Sequence, residues 1–134
     1  MDKAEAEALL FASDGPLAAA EIAAHLPGEN DIEAILGELQ RACPQIGDVR
    51  GLGLMLGMEL VDPDGPPDRM GRPPCDPALA SRLQRECLRR GLIIELGGRH
   101  GSVVRFLPPL IIGPAEVDTV ARIVGASLEA AASV

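Results

Sequence analysis

The sequence predicts an α+β fold: a small antiparallel or mixed sheet of about three strands with helices on one face, preceded by a three-helix segment of helix-turn-helix type. Three observations point there. Apolar residues alternate with period two over 49–61, they recur at helical spacing over 76–90 and 114–128, and two β-rich runs flank the glycine-rich stretch "GGRHG". At 134 residues the chain is about one average domain, which suits one such unit with an appendage.

From the N-terminus, residues 2–12 read as a short Ala/Leu/Glu helix that stops at Asp14-Gly15-Pro16, and residues 18–25 propose a second helix ended by "LPG". Ala18 stands where a Ser or Thr cap is natural, so that second helix starts weakly. The third helix is better marked: Asn30 caps it, Glu33 takes the capping-box position, and Ile32, Ile35, Leu36 and Leu39 form an i, i+3, i+4, i+7 stripe. A strand over 49–61 follows, then a Pro/Gly loop from Pro63 to Pro74 without periodicity, the expected mobile segment. Asp76 caps the next helix with Pro77 at its first position; Leu79, Leu83, Cys87 and Leu88 line its inner face, and Gly91 ends it after Arg89 and Arg90. "LIIEL" (92–96) and "SVVRFL" (102–107) make a hairpin across "GGRHG". The last helix starts at Pro114, carries Glu116 in its first turn, and buries Val117, Val120, Ala121, Val124 and Leu128. These elements divide as 1–43, a helical segment, and 44–134, an α+β unit.

Composition removes several function classes. The chain has no Trp or Tyr and two Phe, so base stacking on aromatic rings has almost nothing to work with. Residues 1–45 carry nine acids against two bases, whereas 46–134 carry eleven against ten. An acidic N-terminal third repels phosphate, and the third helix sets Asp31, Glu33 and Glu38 against Arg41 alone, so no nucleic-acid partner is expected. Cys43, Cys75 and Cys87 form no Cys-x-x-Cys pair and, with His25 and His100, show no ligand spacing, so no metal is expected and the thiols read as reduced, cytoplasmic ones. "MDKAEAEALLFA" is acidic and short of apolar length, hence neither a leader nor a membrane span.

Two places invite chemistry. In "RGLGLMLGMEL" the glycines fall at 51, 53 and 57, one residue too long for a dinucleotide fingerprint, and the Pro-rich stretch that follows cannot open a helix. Parity instead puts Leu52, Leu54, Leu56, Met58 and Leu60 on one face of a strand and the glycines on the other, where another backbone, a packed element or a ligand approaches closely. The other place is Arg105, the one charge in "VVRFLPPL". A guanidinium in an apolar strand must find an anion or reach water. Its fork suits a carboxylate in two-point geometry, and pairing with Glu95 across the hairpin is the alternative.

"IGDVRGLGLMLGMELVDPDG" and "RLQRECLRRGLIIELGGRHGSVVRFLPPLIIGPAEVDTV" resemble the C-terminal small domain of class-III pyridoxal-phosphate aminotransferases, over roughly residues 44–131; "GGRHGSVVRFLPPL" is most similar to the diaminobutyrate–2-oxoglutarate group. The resemblance implies that Arg105, the arginine before "PPL", holds the α-carboxylate of a substrate, and that pyridoxal phosphate is the cofactor. One departure weighs against catalysis by this chain alone. An aminotransferase needs a Schiff-base lysine, a carboxylate against the pyridine nitrogen and a phosphate cup. The one lysine is Lys3, outside the matching region, so no cofactor is expected to bind this chain by itself.

Residues 4–40, with "AEALLFASDGPLAAAEIAAHLPGENDIEAILGELQ" and most specifically "ALLFASDGPL", are similar to the start of segregation and condensation protein B, which is built from winged helices. The wing strands do not follow. The two resemblances meet within "DIEAILGELQRACPQIGDVRG", whose apolar stripe serves either unit. Two functional expectations result: an incomplete aminotransferase small domain whose partner is a large domain or a second copy, or a chromosome-segregation interaction module with a condensin-type partner.

Overall fold

In the computed structural model, residues 32–133 are described; the helices expected over 2–12 and 18–25, the Asn30 cap and Lys3 lie outside them. The described elements are α1 (Ile32–Ala42), β1 (Ile46–Leu52), β2 (Met55–Leu60), α2 (Pro77–Arg89), β3 (Glu95–Gly97), β4 (Val103–Phe106) and α3 (Pro114–Ala132). The strands form one antiparallel sheet in the order β1-β2-β4-β3, with the helices on one face.

The sheet has four strands where about three were expected, because 49–61 is not one strand. Leu52 pairs with Met55, so Gly53 and Leu54 make a two-residue turn and the segment folds back as the β1–β2 hairpin. Gly53 takes a positive φ of 57°, as tight hairpin turns require. The expected parity holds within β2, where Leu56, Met58 and Leu60 are buried, and fails before the turn, where Leu52 is 74% exposed.

Gly51 explains the close approach foreseen for the glycine face. Its φ is 149°, and a Cβ there would sit 2.1 Å from the Met55 carbonyl oxygen and 2.8 Å from Leu56 Cα. The approaching group is therefore the backbone of the partner strand.

The "LIIEL" run also pairs less than expected. Leu92 N–H donates to the Cys87 carbonyl and the Ile94 carbonyl accepts from Gln84, so α2 takes the groups that a longer ladder would need. Only Glu95–Gly97 joins β4.

Helix α2 follows its sequence signals: Asp76 Oδ1 accepts from Leu79 N–H at 2.8 Å, with Pro77 in the first turn. Leu79, Ala80, Leu83 and Cys87 are buried on its inner side; Leu88, expected with them, points out at 61% exposure. In α3, Glu116 reaches back to the Gly113 N–H, and Val117, Val124 and Leu128 enter the core as expected. Helix α1 contributes Ile32 and Leu36 to the same buried cluster as β2, α2 and α3, so its apolar stripe belongs to this unit. The Pro63–Pro74 loop, expected to be mobile, closes on itself: Asp62 N–H bonds to Pro74 O, Asp68 N–H to Arg72 O, and Asp68 Oδ1 accepts from the Met70 and Arg72 N–H groups.

The energetics favour the aliphatic core. Leu36, Leu60, Leu79, Leu83 and Leu128 are all but inaccessible, and each such burial stabilises by about 1.5–3 kcal/mol. The ion pairs lie at the surface, where water screens them and they add little. Gly51→Ala is expected to lower stability by more than about 2 kcal/mol, through backbone strain and collision with Met55 O. Gly53→Asn, with open space around it and a residue tolerant of positive φ, should cost under about 1 kcal/mol, both changes being read by urea titration.

Candidate functional site

The sheet face away from the helices carries the polar groups. Strand alternation turns Val104 and Phe106 into the core and leaves Arg105 outward. Register then aligns Arg50, Gly57, Arg105 and Glu95 in one row across the four strands, with Asp48, Glu59, Val103 and Gly97 in the next.

Arg105 meets both conditions set by its sequence context. Its side chain is 46% exposed, and Nη2 donates to Glu95 Oε1 at 2.7 Å across the β3–β4 pair. The contact engages one nitrogen of the fork; Nε and Nη1 take no partner among the described residues. The guanidinium lies against the bare backbone of Gly97, where an added Cβ would stand 2.6 Å from Nε and 2.9 Å from Cζ. On the β2 side its register partner is Gly57, which puts no side chain between Arg105 and the neighbouring strand.

A second polar group was not foreseen. Arg50 Nη1 donates to Asp48 Oδ2 at 2.8 Å and to Glu59 Oε2 at 2.9 Å, while the Cys75 thiol donates to Glu59 Oε1 at 3.3 Å. The hydrogen bond to Asp48 first, and that to Glu59 next, hold the Arg50 guanidinium above its ordinary pKa. The signal existed in the sequence: once Gly53-Leu54 is read as a turn, Asp48 falls opposite Glu59 and Arg50 beside both.

Among the cysteines, Cys87 is sealed in the core and burial pushes its thiol pKa up, which removes it as a nucleophile. No lysine occurs among the described residues, so they do not fit a Schiff-base role toward pyridoxal phosphate. No metal-holding cluster occurs among them either, and no described helix is long and apolar enough to cross a membrane.

A four-stranded antiparallel sheet backed by helices, with an outward arginine on the strand before "LPPL", defines the class. Residues 22–128 match the family model for class-III aminotransferases, and the chain belongs to that family. Its relatives include the diaminobutyrate–2-oxoglutarate aminotransferases of Rhizobium meliloti, 49% identical over 98 residues, and Haemophilus influenzae, 42% identical over 83. These matches cover 73% and 62% of this chain and 21% and 18% of the relatives, so the chain spans about a fifth of their length. Among solved structures, a phospholyase from Arthrobacter in complex with phosphoethanolamine superimposes with a TM-score of 0.66 at 28% identity, covering 73% of this chain and 22% of that one. An aminotransferase from Vibrio fluvialis in its PMP-bound form gives 0.62 at 26% identity, covering 76% and 21%. The similarity of residues 4–40 to segregation and condensation protein B finds no support in these comparisons, and the family match begins inside that segment, at residue 22.

Two outcomes check the site. Gly97→Ala should move the Arg105 side-chain Nε–H resonance about as far as Glu95→Gln does, because the added methyl displaces the guanidinium from its carboxylate. Because Cys87 keeps its proton more tightly folded than unfolded, its contribution to stability is complete below the unfolded thiol pKa. It is lost as pH rises into the alkaline range, and Cys87→Ala should flatten that alkaline fall in urea titrations.

Proposed function

We propose that this chain is the small-domain part of an aminotransferase that acts on diaminobutyrate and 2-oxoglutarate, with Arg105 receiving the α-carboxylate of a substrate. The observation that carries the reading is the arginine itself: outward on a helix-backed sheet, half exposed, with two nitrogens of its fork unengaged. A guanidinium in that state offers a carboxylate two parallel hydrogen bonds. The identity with the Rhizobium meliloti enzyme supports the choice of substrates.

In such enzymes pyridoxal phosphate supplies the electron sink for amino transfer. The family-matched residues 22–128 hold no lysine, so the Schiff-base nucleophile comes from outside them, and a large domain, in the same polypeptide or as a separate partner, is its proposed source. What these residues do is bind and orient: Arg105 fixes the carboxylate end, and the rigid sheet beneath holds Arg105 in place. The condensin-associated reading has no observation behind it.

The test is complementation. The Rhizobium meliloti enzyme truncated to its large domain, mixed with this chain, should recover amino transfer from diaminobutyrate to 2-oxoglutarate. Arg105→Gln should lower the recovered kcat/KM roughly ten- to hundredfold, the span of a lost charge-assisted hydrogen bond. Recovery that is indifferent to Arg105→Gln would reject its role.

A further inference from the structure

We propose that the free edge of β1 is a self-association surface. Two copies of this chain pair β1 against β1 about a two-fold axis, with Asp48 of each opposite Arg50 of the other.

Topology sets the edge. β1 ends the sheet in the order β1-β2-β4-β3, so one side of it pairs with no described strand. Leu52 and Met55 close a two-residue hairpin turn, and such a closing pair exchanges both of its hydrogen bonds. Alternation from that pair aims the backbone groups of Leu52, Arg50 and Asp48 at β2, and those of Gly51 and Val49 at the free edge. Unpaired groups in such a row are a template for another strand.

Charge selects which strand. Edges are commonly guarded by charged side chains, and a guard of one sign repels a copy of itself. Here Asp48 and Arg50 carry opposite signs, are each about half exposed, and stand on one face at either side of Val49. In an antiparallel pair centred on Val49, position 48 of one strand lies opposite position 50 of the other, so symmetry forms two ion pairs at once. The two Val49 residues exchange both hydrogen bonds, which makes 48 and 50 a non-hydrogen-bonded pair, the kind whose side chains come closer together. Arg50 keeps its bonds to Asp48 and Glu59, both made by Nη1, and turns its other nitrogens to the second copy. Beyond the centre Gly51 meets Gly47, so no side chain stands in the way.

The same strand keeps the assembly small and weak. Its register against β2 shifts between Ile46 and Asp48, and the Gly47 carbonyl already accepts from Gln40 Nε2 at 3.1 Å, so the new ladder is short. A short ladder buries little area. A two-fold pair uses up both β1 edges, and growth closes at two. Because the axis stands perpendicular to the sheet, the two outward faces become one, with both Arg105 side chains on it.

Sedimentation of the full chain from about 10 μM to 1 mM tests this, and a monomer–dimer equilibrium with a Kd of roughly 0.1–1 mM is expected. Asp48→Lys alone and Arg50→Glu alone set like charges opposite one another and should each raise Kd roughly tenfold. Mixed one to one, the two variants restore both ion pairs and should return a heterodimer near the parent Kd, which a misfolded variant does not do. Val49→Pro removes the central N–H at an edge position that tolerates proline, and should abolish the dimer with the far-UV circular dichroism unchanged. A chain that stays monomeric at 1 mM overturns the proposal, whatever else covers β1. A dimer that Val49→Pro leaves intact, or a mixture that associates no better than either variant alone, overturns it as well.

Discussion

The antiparallel register of β2 against β4 is the constraint on which the open face depends. Pairing Leu56 with Phe106 and Met58 with Val104 sends four apolar side chains into one core. The intervening positions, Gly57 and Arg105, then have no choice but to face outward together. A slip of one residue would invert both sets, burying a guanidinium and exposing Val104, and the cost of an unpaired buried charge forbids it. The outward placement of Arg105 is thus a by-product of packing four hydrophobic residues, and the ion pair to Glu95 is added on top of it.

Around that row the carboxylates are divided unequally. Arg50 donates from one nitrogen to both Asp48 and Glu59, whereas Arg105 donates from one nitrogen to Glu95 alone. Two arginines on one face of one sheet therefore differ in the negative charge gathered around them, and the difference follows from which strand positions carry acids.

The helices were largely legible because their boundaries are written in local chemistry: Asp76-Pro77 at one start, Gly113-Pro114 with Glu116 at another, and Gly91, at φ 85°, after α2. Arg105 was legible for a similar reason, as a charge that an apolar strand must turn outward, and Glu95 lay within hairpin reach. The β1–β2 turn was hidden because leucines at 52, 54, 56 and 60 with Met58 keep period two straight through Gly53-Leu54. The Arg50 network was hidden with it, since cross-strand partners exist only once the fold-back is known. Leu88 stands one residue, about 100° round α2, from the buried Cys87, on a side of the helix left to solvent, and that limit of the core is set by tertiary packing.

The segment between β2 and α2 illustrates a different economy. Val61 bridges Cys75, and the Asp76 N–H donates to the Leu60 carbonyl, so the chain leaves the sheet and returns to nearly the same point before α2 begins. Everything from 62 to 74 hangs outside that knot, tied mostly to itself through Asp62 and Asp68. Its length is consequently uncoupled from the positions of β2 and α2. Lineages are free to lengthen, trim or replace it, and variation there can change what the molecule presents at its rim while the arginine row stays where it is.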